Sequence, residues 1–291
     1  MPIFRSVPAT LVAIVFLAGC AASAPKSAVD PKGPTQLPDV SIHFKAFDGC
    51  FLLYDVKTSE LVEVHNKAMC KKRQPACSTF KIPLAVMAFD EGVLKDETTG
   101  FKWDGEQRMV PEWNKDHDAT SWMRDSVVWF SQKLTPKLGR EKIVAYLRGF
   151  NYGNQNFTGG LQNAWLTRAP FLDKKPKTTL LISPFDQIDF MKALWTDRLP
   201  ASHRAQELTR KILPGETSPA GYTLKGKTGS GFIGRDGSLR LGWYVGHLEG
   251  NGREYVSVVM LTDTRPGQGT GFVGREAREI MKSALADRGL W

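Results

Sequence analysis

Hydrophobic and polar positions divide the chain into a β-rich beginning, a helical middle and a β-rich end. The stretch DGCFLLYDVKTSELVEVHN (Asp48–Asn66) reads as two strands joined by a polar turn at Lys57-Thr58-Ser59. CSTFKIPLAVMAF (Cys77–Phe89) opens an apolar helix that stops near Glu91-Gly92. From there to about Ala205 the pattern is mainly helical. SWMRDSVVWFSQKL and REKIVAYLRGF carry apolar residues at helix spacing, with loops at FKWDGEQRMVPEWNKDHD and NYGNQNFTGG. In SPFDQIDFMKALWT, Ser183 suits an N-cap and Pro184 the first helical position. After LPGETSPAGYTLKGKTGSG the character changes. LRLGWYVGHLEG and EYVSVVMLTDT are β-rich, the turn EGNG between them suggests a hairpin, and GREAREIMKSALADRGL closes the chain as a helix. Strands at both ends predict one discontinuous α/β part, about 39–90 with 206–291, around an all-helical part at about 91–205.

The N-terminus has a different pattern. MPIFRSVPATLVAIVFLAGC holds one cation, Arg5, and an apolar run from Leu11 to Leu17 that is too short to span a bilayer. Residues 1–19 therefore read as a signal peptide. Leu17-Ala18-Gly19-Cys20 resembles a bacterial lipobox, where cleavage leaves Cys20 to carry lipid; ordinary cleavage near Ala21–Ala24 is the rival. Residues 20–38, rich in Ala, Ser, Pro and Lys, read as a flexible tether. The expected location is the bacterial periplasm, with a lipid anchor in the outer membrane as the one membrane contact.

Composition adds little to this picture. The 291 residues are 42% hydrophobic and 24% charged, enough apolar content for a real core. The net charge of +9 is scattered, with KAMCKKR (Lys67–Arg73) its nearest approach to a block, so no nucleic-acid footprint is expected. Beyond Cys20 three cysteines remain. Cys50 starts one strand of the first hairpin and Cys70 follows the other, so these two are the favoured disulfide and Cys77 a buried free thiol. The five histidines form no ligand pair at helical spacing, and no metal site is expected. GSGFIG (Gly229–Gly234) matches a dinucleotide fingerprint only formally, since a turn and a strand follow it instead of a helix.

Chemistry enters at Ser78 and Lys81, three residues apart at the mouth of the apolar segment. A serine hydroxyl is a weak nucleophile until an adjacent base takes its proton. Residues i and i+3 share a helix face, so the Lys81 amine can approach the Ser78 oxygen. The neighbours Phe80, Ile82, Leu84 and Val86 disfavour a charged ammonium there. A neutral amine can act as a base or combine with carbon dioxide to give a carbamate. The N–H groups of a helix start suit a developing oxyanion.

S-x-x-K alone is common by chance, but three motifs follow it. SVV stands at Ser126–Val128, YGN at Tyr152–Asn154, and KTG at Lys227–Gly229, at the end of an expected strand. A lysine and a hydroxyl on a strand edge suit a substrate carboxylate, and glycine lets a ligand lie against the backbone. S-x-x-K with K-T-G marks penicillin-recognising enzymes. The full order, with STFKIP nearly a signature, resembles the class D, oxacillinase-type serine β-lactamases from about Cys50 to the last helix. The resemblance implies an α/β fold of the penicillin-recognising β-lactamase/transpeptidase kind, an antiparallel sheet flanked by helices plus an all-helical insert.

Carried over by position, it makes Ser78 the acylated nucleophile and a carbamylated Lys81 the general base in acylation and deacylation. Trp165 would hold the carbamate through its indole N–H, with Leu166 and Val128 shielding it. Ser126 would relay a proton to the departing β-lactam nitrogen, and Tyr152 would line the pocket. Lys227 and Thr228 would hold the substrate carboxylate, with Gly229 beside them and the N–H groups of Ser78 and Ser230 as oxyanion hole. The family's carboxylate-binding arginine fits Arg275 better than Arg265. Many relatives place an aromatic directly after K-T-G; here Ser230-Gly231 intervene before Phe232. The implied substrates are β-lactams, and the implied requirement is carbon dioxide or bicarbonate for Lys81, with no other cofactor. The alternatives are a penicillin-binding peptidase and a β-lactam sensor that stays acylated. The first usually carries S-x-N instead of S-x-V, and the second hangs from several membrane helices.

Overall fold

The computed structural model describes Met1 and residues 37–167, 177–269 and 271–291. The expected leader, Cys20 and the tether as far as residue 36 lie outside the described residues. In chain order, β1 (Phe47–Asp55) and β2 (Glu60–His65) form the first hairpin, followed by α1 (Lys67–Cys70) and β3 (Gln74–Pro75). A 3-10 turn at Cys77–Phe80 runs directly into α2 (Lys81–Asp90). β4 (Gly100–Phe101) pairs with β5 (His117–Asp118), and α3 (Ala119–Asp125), α4 (Val128–Leu138) and α5 (Arg140–Gly149) follow. β6 (Leu181–Ile182) returns to β3, and α6 (Pro184–Trp195) and α7 (His203–Ile212) lead back to the main sheet. β7 (Gly215–Thr217), β8 (Thr223–Ile233), β9 (Leu239–Gly250), β10 (Arg253–Asp263) and α8 (Gly274–Ala286) complete the chain. The main sheet is antiparallel with strand order β2-β1-β10-β9-β8-β7.

Side chains alternate across a strand, and here both faces are covered. Cys50, Leu52, Trp243, Val245, Val256 and Val258 face the helical layer around α2. Phe51, Leu53, Tyr244, Leu248, Val259 and Leu261 face α8. The near-continuous apolar runs of β1, β9 and β10 follow from this double burial, which contributes roughly 1.5–3 kcal/mol for each large side chain enclosed. α8 answers with a stripe of Ala277, Ile280, Met281, Ala284 and Leu285 at helix spacing. α7 straddles the expected boundary at residues 205–206 and packs against α2. A disulfide joins Cys50 to Cys70, and Cys77 is a buried free thiol.

Two elements depart from the sequence pattern. SWMRDSVVWFSQKL is not one helix: α3 ends at Asp125, Ser126 takes a left-handed conformation (φ 58°), and α4 starts at Val128. The Ser126 N–H closes α3 by donating to the Trp122 carbonyl, which turns the chain before helical spacing resumes. KTG also does not end its strand. β8 continues four residues further to Ile233, because β9 pairs with it along its whole length. Among the described residues no helix is long and apolar enough to cross a membrane.

Candidate active site

The 3-10 turn brings the expected nucleophile and base together. Lys81 Nζ lies 3.2 Å from Ser78 Oγ. Lys81 is fully buried, whereas Ser78 keeps access to solvent. Burial, and next the charge of Lys227, hold the Lys81 amine well below the usual lysine range. The ammonium form is therefore disfavoured, and the amine donates to the Ser78 hydroxyl oxygen. Cys77, just before the serine, adopts φ 49°, a conformation that costs a non-glycine residue roughly 1–3 kcal/mol. Its N–H donates to the Trp165 carbonyl at 3.1 Å, which fixes the turn. The Cys77 thiol is pushed up to about 12 by burial, so it does not compete with Ser78 as a nucleophile.

Trp165 closes the site from within. Its ring lies 5.1 Å from that of Phe80, centroid to centroid, and stacks on Phe157. The indole is wholly buried, yet its Nε1–H has no hydrogen-bond partner among the described residues. A buried donor left without an acceptor costs about 1–3 kcal/mol, so the position suits an acceptor that the described residues do not supply. Leu166 follows, half-buried against the same core cluster.

β8 supplies the opposite wall. Along an antiparallel strand, successive backbone N–H groups point to opposite edges. Gly226 N–H donates to Pro214 O on the β7 side, and Phe232 N–H donates to Thr167 Oγ1 at 2.9 Å. By the same alternation the N–H groups of Thr228 and Ser230 point to this edge, past Lys225 where pairing with β7 ends. The edge packs against the Ser78 turn: a Cβ on Gly229 would stand 3.1 Å from Thr79 Cγ2 and 3.4 Å from the Ala76 carbonyl. Close approach therefore favours glycine there, since a larger residue would push its neighbours apart by a few tenths of an ångström. The N–H of Ser230 can accordingly share an oxyanion with that of Ser78. The Ser230 hydroxyl turns the other way and accepts from Gly274 N–H. Lys227 is buried, its pKa lowered by that burial to about 7, with Nζ 3.1 Å from the Thr228 carbonyl and 3.3 Å from Thr228 Oγ1.

The chain is similar to known proteins over most of its length. The model of the penicillin binding protein transpeptidase domain matches residues 49–285. Beta-lactamase OXA-1 of Escherichia coli is 39% identical over 226 residues, covering 75% of this chain and 78% of the relative. The chain belongs to the class D β-lactamases. The probable β-lactamase YbxI of Bacillus subtilis is 29% identical over 280 residues, 96% of each chain. A class D β-lactamase structure from Bacillus subtilis superposes with a TM-score of 0.74 at 30% identity, covering 87% of this chain and 96% of the other. One from Sebaldella termitidis gives 0.77 at 29% identity, covering 87% and 96%. The fold is thus the penicillin-binding transpeptidase type, and the enzyme is a β-lactam hydrolase.

Within this class D β-lactamase the other expected residues fall in different places. Ser126 and Val128 are half-buried on either side of the enclosed Val127, at the corner between α3 and α4. Tyr152 does not line the pocket. It is wholly enclosed, in edge contact with Phe190 at 5.2 Å and tilted against Phe80, because the turn that carries it folds into the core. It packs beneath Phe80, the last residue of the 3-10 turn that carries Ser78. Arg275 lies exposed in the first turn of α8, next to Gly274, which bonds to Ser230.

Three supporting residues escape motif reading. Thr79 Oγ1 donates to the Ala76 carbonyl at 2.6 Å and accepts from Gln187 Nε2 at 2.9 Å, which locks the turn around Ser78 from α6. Gln187 has a detectable signal, a polar residue on the inward stripe with Ile188 and Met191. Thr167 has none.

Proposed function

We propose that the enzyme opens β-lactams through a Ser78 acyl-enzyme, with Lys81 carried as its N-carboxylate and acting as general base in both half-reactions. The observation that carries this reading is the buried Trp165 indole N–H without an acceptor among the described residues, together with a buried lysine whose charged form is disfavoured. A neutral amine is the form that adds to carbon dioxide, losing a proton as the N–C bond forms. The added carboxylate supplies a base for the Ser78 hydroxyl and afterwards for water, and an acceptor for the Trp165 N–H.

The chain's own groups do the rest. Lys227 and Thr228 hold the substrate carboxylate, placing the lactam carbonyl against Ser78 Oγ. The N–H groups of Ser78 and Ser230 take up the charge that develops on the carbonyl oxygen, a contribution worth about 3–4 kcal/mol per donor in related acyl transfers. Ser126 passes a proton to the departing nitrogen, while Leu166 and Val128 keep bulk water from the Lys81 side chain. The leader pattern ending at Cys20 supports export, with the mature enzyme held by lipid at the periplasmic face of the outer membrane.

Carbon-13 NMR of the enzyme in labelled bicarbonate tests the central claim. A carbamate resonance is expected in the parent protein and not in Lys81→Ala. A fully active enzyme without that resonance overturns the reading.

A further inference from the structure

Ser126 is held by its neighbours in a conformation it would not adopt freely. Its φ of 58° and ψ of 37° place it in the left-handed region, which a serine rarely adopts. Such a residue persists only where its surroundings over-determine it. The peptide plane after Ser126 is pinned by Val127 N–H donating to the Trp122 carbonyl at 3.1 Å. The plane before it is pinned at both ends. The Ser126 N–H donates to the same Trp122 carbonyl, and the Asp125 carbonyl accepts from Trp113 Nε1 at 2.9 Å.

Trp113 comes from outside the two helices. It ends the 3-10 turn Pro111–Trp113, in the loop between β4 and β5, and its own carbonyl accepts from Trp129 Nε1 at 2.8 Å. His117 Nε2 bonds the carbonyl of Glu112 at 2.9 Å, which anchors the same turn from β5. The Asp125 carboxylate is engaged separately, by Arg124 at 2.7 and 2.8 Å. The indole bond therefore acts on the backbone of the corner and not on that side chain.

We propose that Trp113 is a positioning residue for Ser126, setting the direction of its hydroxyl by fixing the peptide bond that precedes it. This rests on the reading of Ser126 as proton relay to the leaving nitrogen. Without the indole N–H, the 125–126 plane can rotate towards the right-handed region and carry the Ser126 Oγ away from that nitrogen.

The test compares two leaving groups. Trp113→Phe, or benzothienylalanine at position 113, removes the donor and keeps an aromatic shape; the second preserves the full ring outline should the first fold poorly. Burst kinetics with a penicillin should show acylation slowed about tenfold, with deacylation unchanged. With an aryl ester, whose phenolate leaves without a proton, acylation should stay within twofold of the parent. Equal slowing of both substrates means a merely structural role and overturns the proposal, as does unchanged acylation of the penicillin. Ser126→Ala should show the same dependence on leaving group. If it does not, the relay reading falls and this inference with it; if it does while the Trp113 variants do not, this inference alone is wrong.

Discussion

Lys81 Nζ lies 3.2 Å from Ser78 Oγ, with the lysine wholly buried and the serine open to solvent. That asymmetry keeps the amine dry and the hydroxyl reachable. Burial disfavours a charged ammonium there, and the nearby Lys227 charge discourages it further. Both influences favour the form of Lys81 that can accept a proton or capture carbon dioxide.

Trp165→Phe examines the acceptor site directly. The ring volume largely remains, but the N–H without a partner is gone, so folding stability should change by no more than about 1–2 kcal/mol. Activity should depend on added bicarbonate, with the concentration for half-maximal rate rising on the order of tenfold, the value of one charge-assisted hydrogen bond. Titrating bicarbonate into degassed enzyme while following penicillin turnover measures this. Parent-like activity in degassed buffer would remove Trp165 from the mechanism.

Much of the site is legible in the chain because the decisive pairs are local. Ser78 and Lys81 share one turn, and Lys227 to Ser230 are consecutive on one strand, so spacing alone brings their groups together. What stays hidden depends on partners distant in sequence. β8 runs beyond KTG because β9 pairs with it, which the glycines and serine of the strand do not reveal. The break at Ser126 interrupts an apolar pattern that stays helical on both sides of it, since a single left-handed residue leaves no mark on that periodicity. Tyr152 sits in a polar-looking loop motif, yet tertiary packing against Phe80 and Phe190 draws it inward.

The Cys50–Cys70 bridge ties the second-outermost strand of the sheet to α1, closing a segment of sequence separation 20. Chain-entropy arguments assign a loop of that size about 3 kcal/mol. Cys70→Ala should therefore lower the unfolding free energy by about 2–4 kcal/mol in a denaturant titration. Penicillin turnover at low temperature should stay near the parent value, since the bridge joins β1 to α1 and not the 3-10 turn that carries Ser78. Unchanged stability would show that the unfolded chain is not constrained by the bridge.

Lys227 couples folding stability to one proton. Its folded pKa is about 7, against an ordinary value of 10.5. Between those values the folded lysine is neutral while the unfolded one is charged, so unfolding takes up a proton. Stability from this group is therefore complete above the unfolded value and is lost as pH falls towards 7, by up to about 1.4 kcal/mol per pH unit. Lys227→Met removes the dependence: the variant should be the more stable protein near pH 7, and the difference should close towards pH 10. Binding runs the other way. A substrate carboxylate needs the ammonium form, so kcat/KM of the parent for a penicillin should fall as pH rises past about 7, and Lys227→Met should raise KM at least tenfold at neutral pH. Thermal unfolding and steady-state rates across pH 6–10 check both halves. A variant less stable than the parent at pH 7 would mean that the buried lysine gains more from its contacts with Thr228 than it loses to burial.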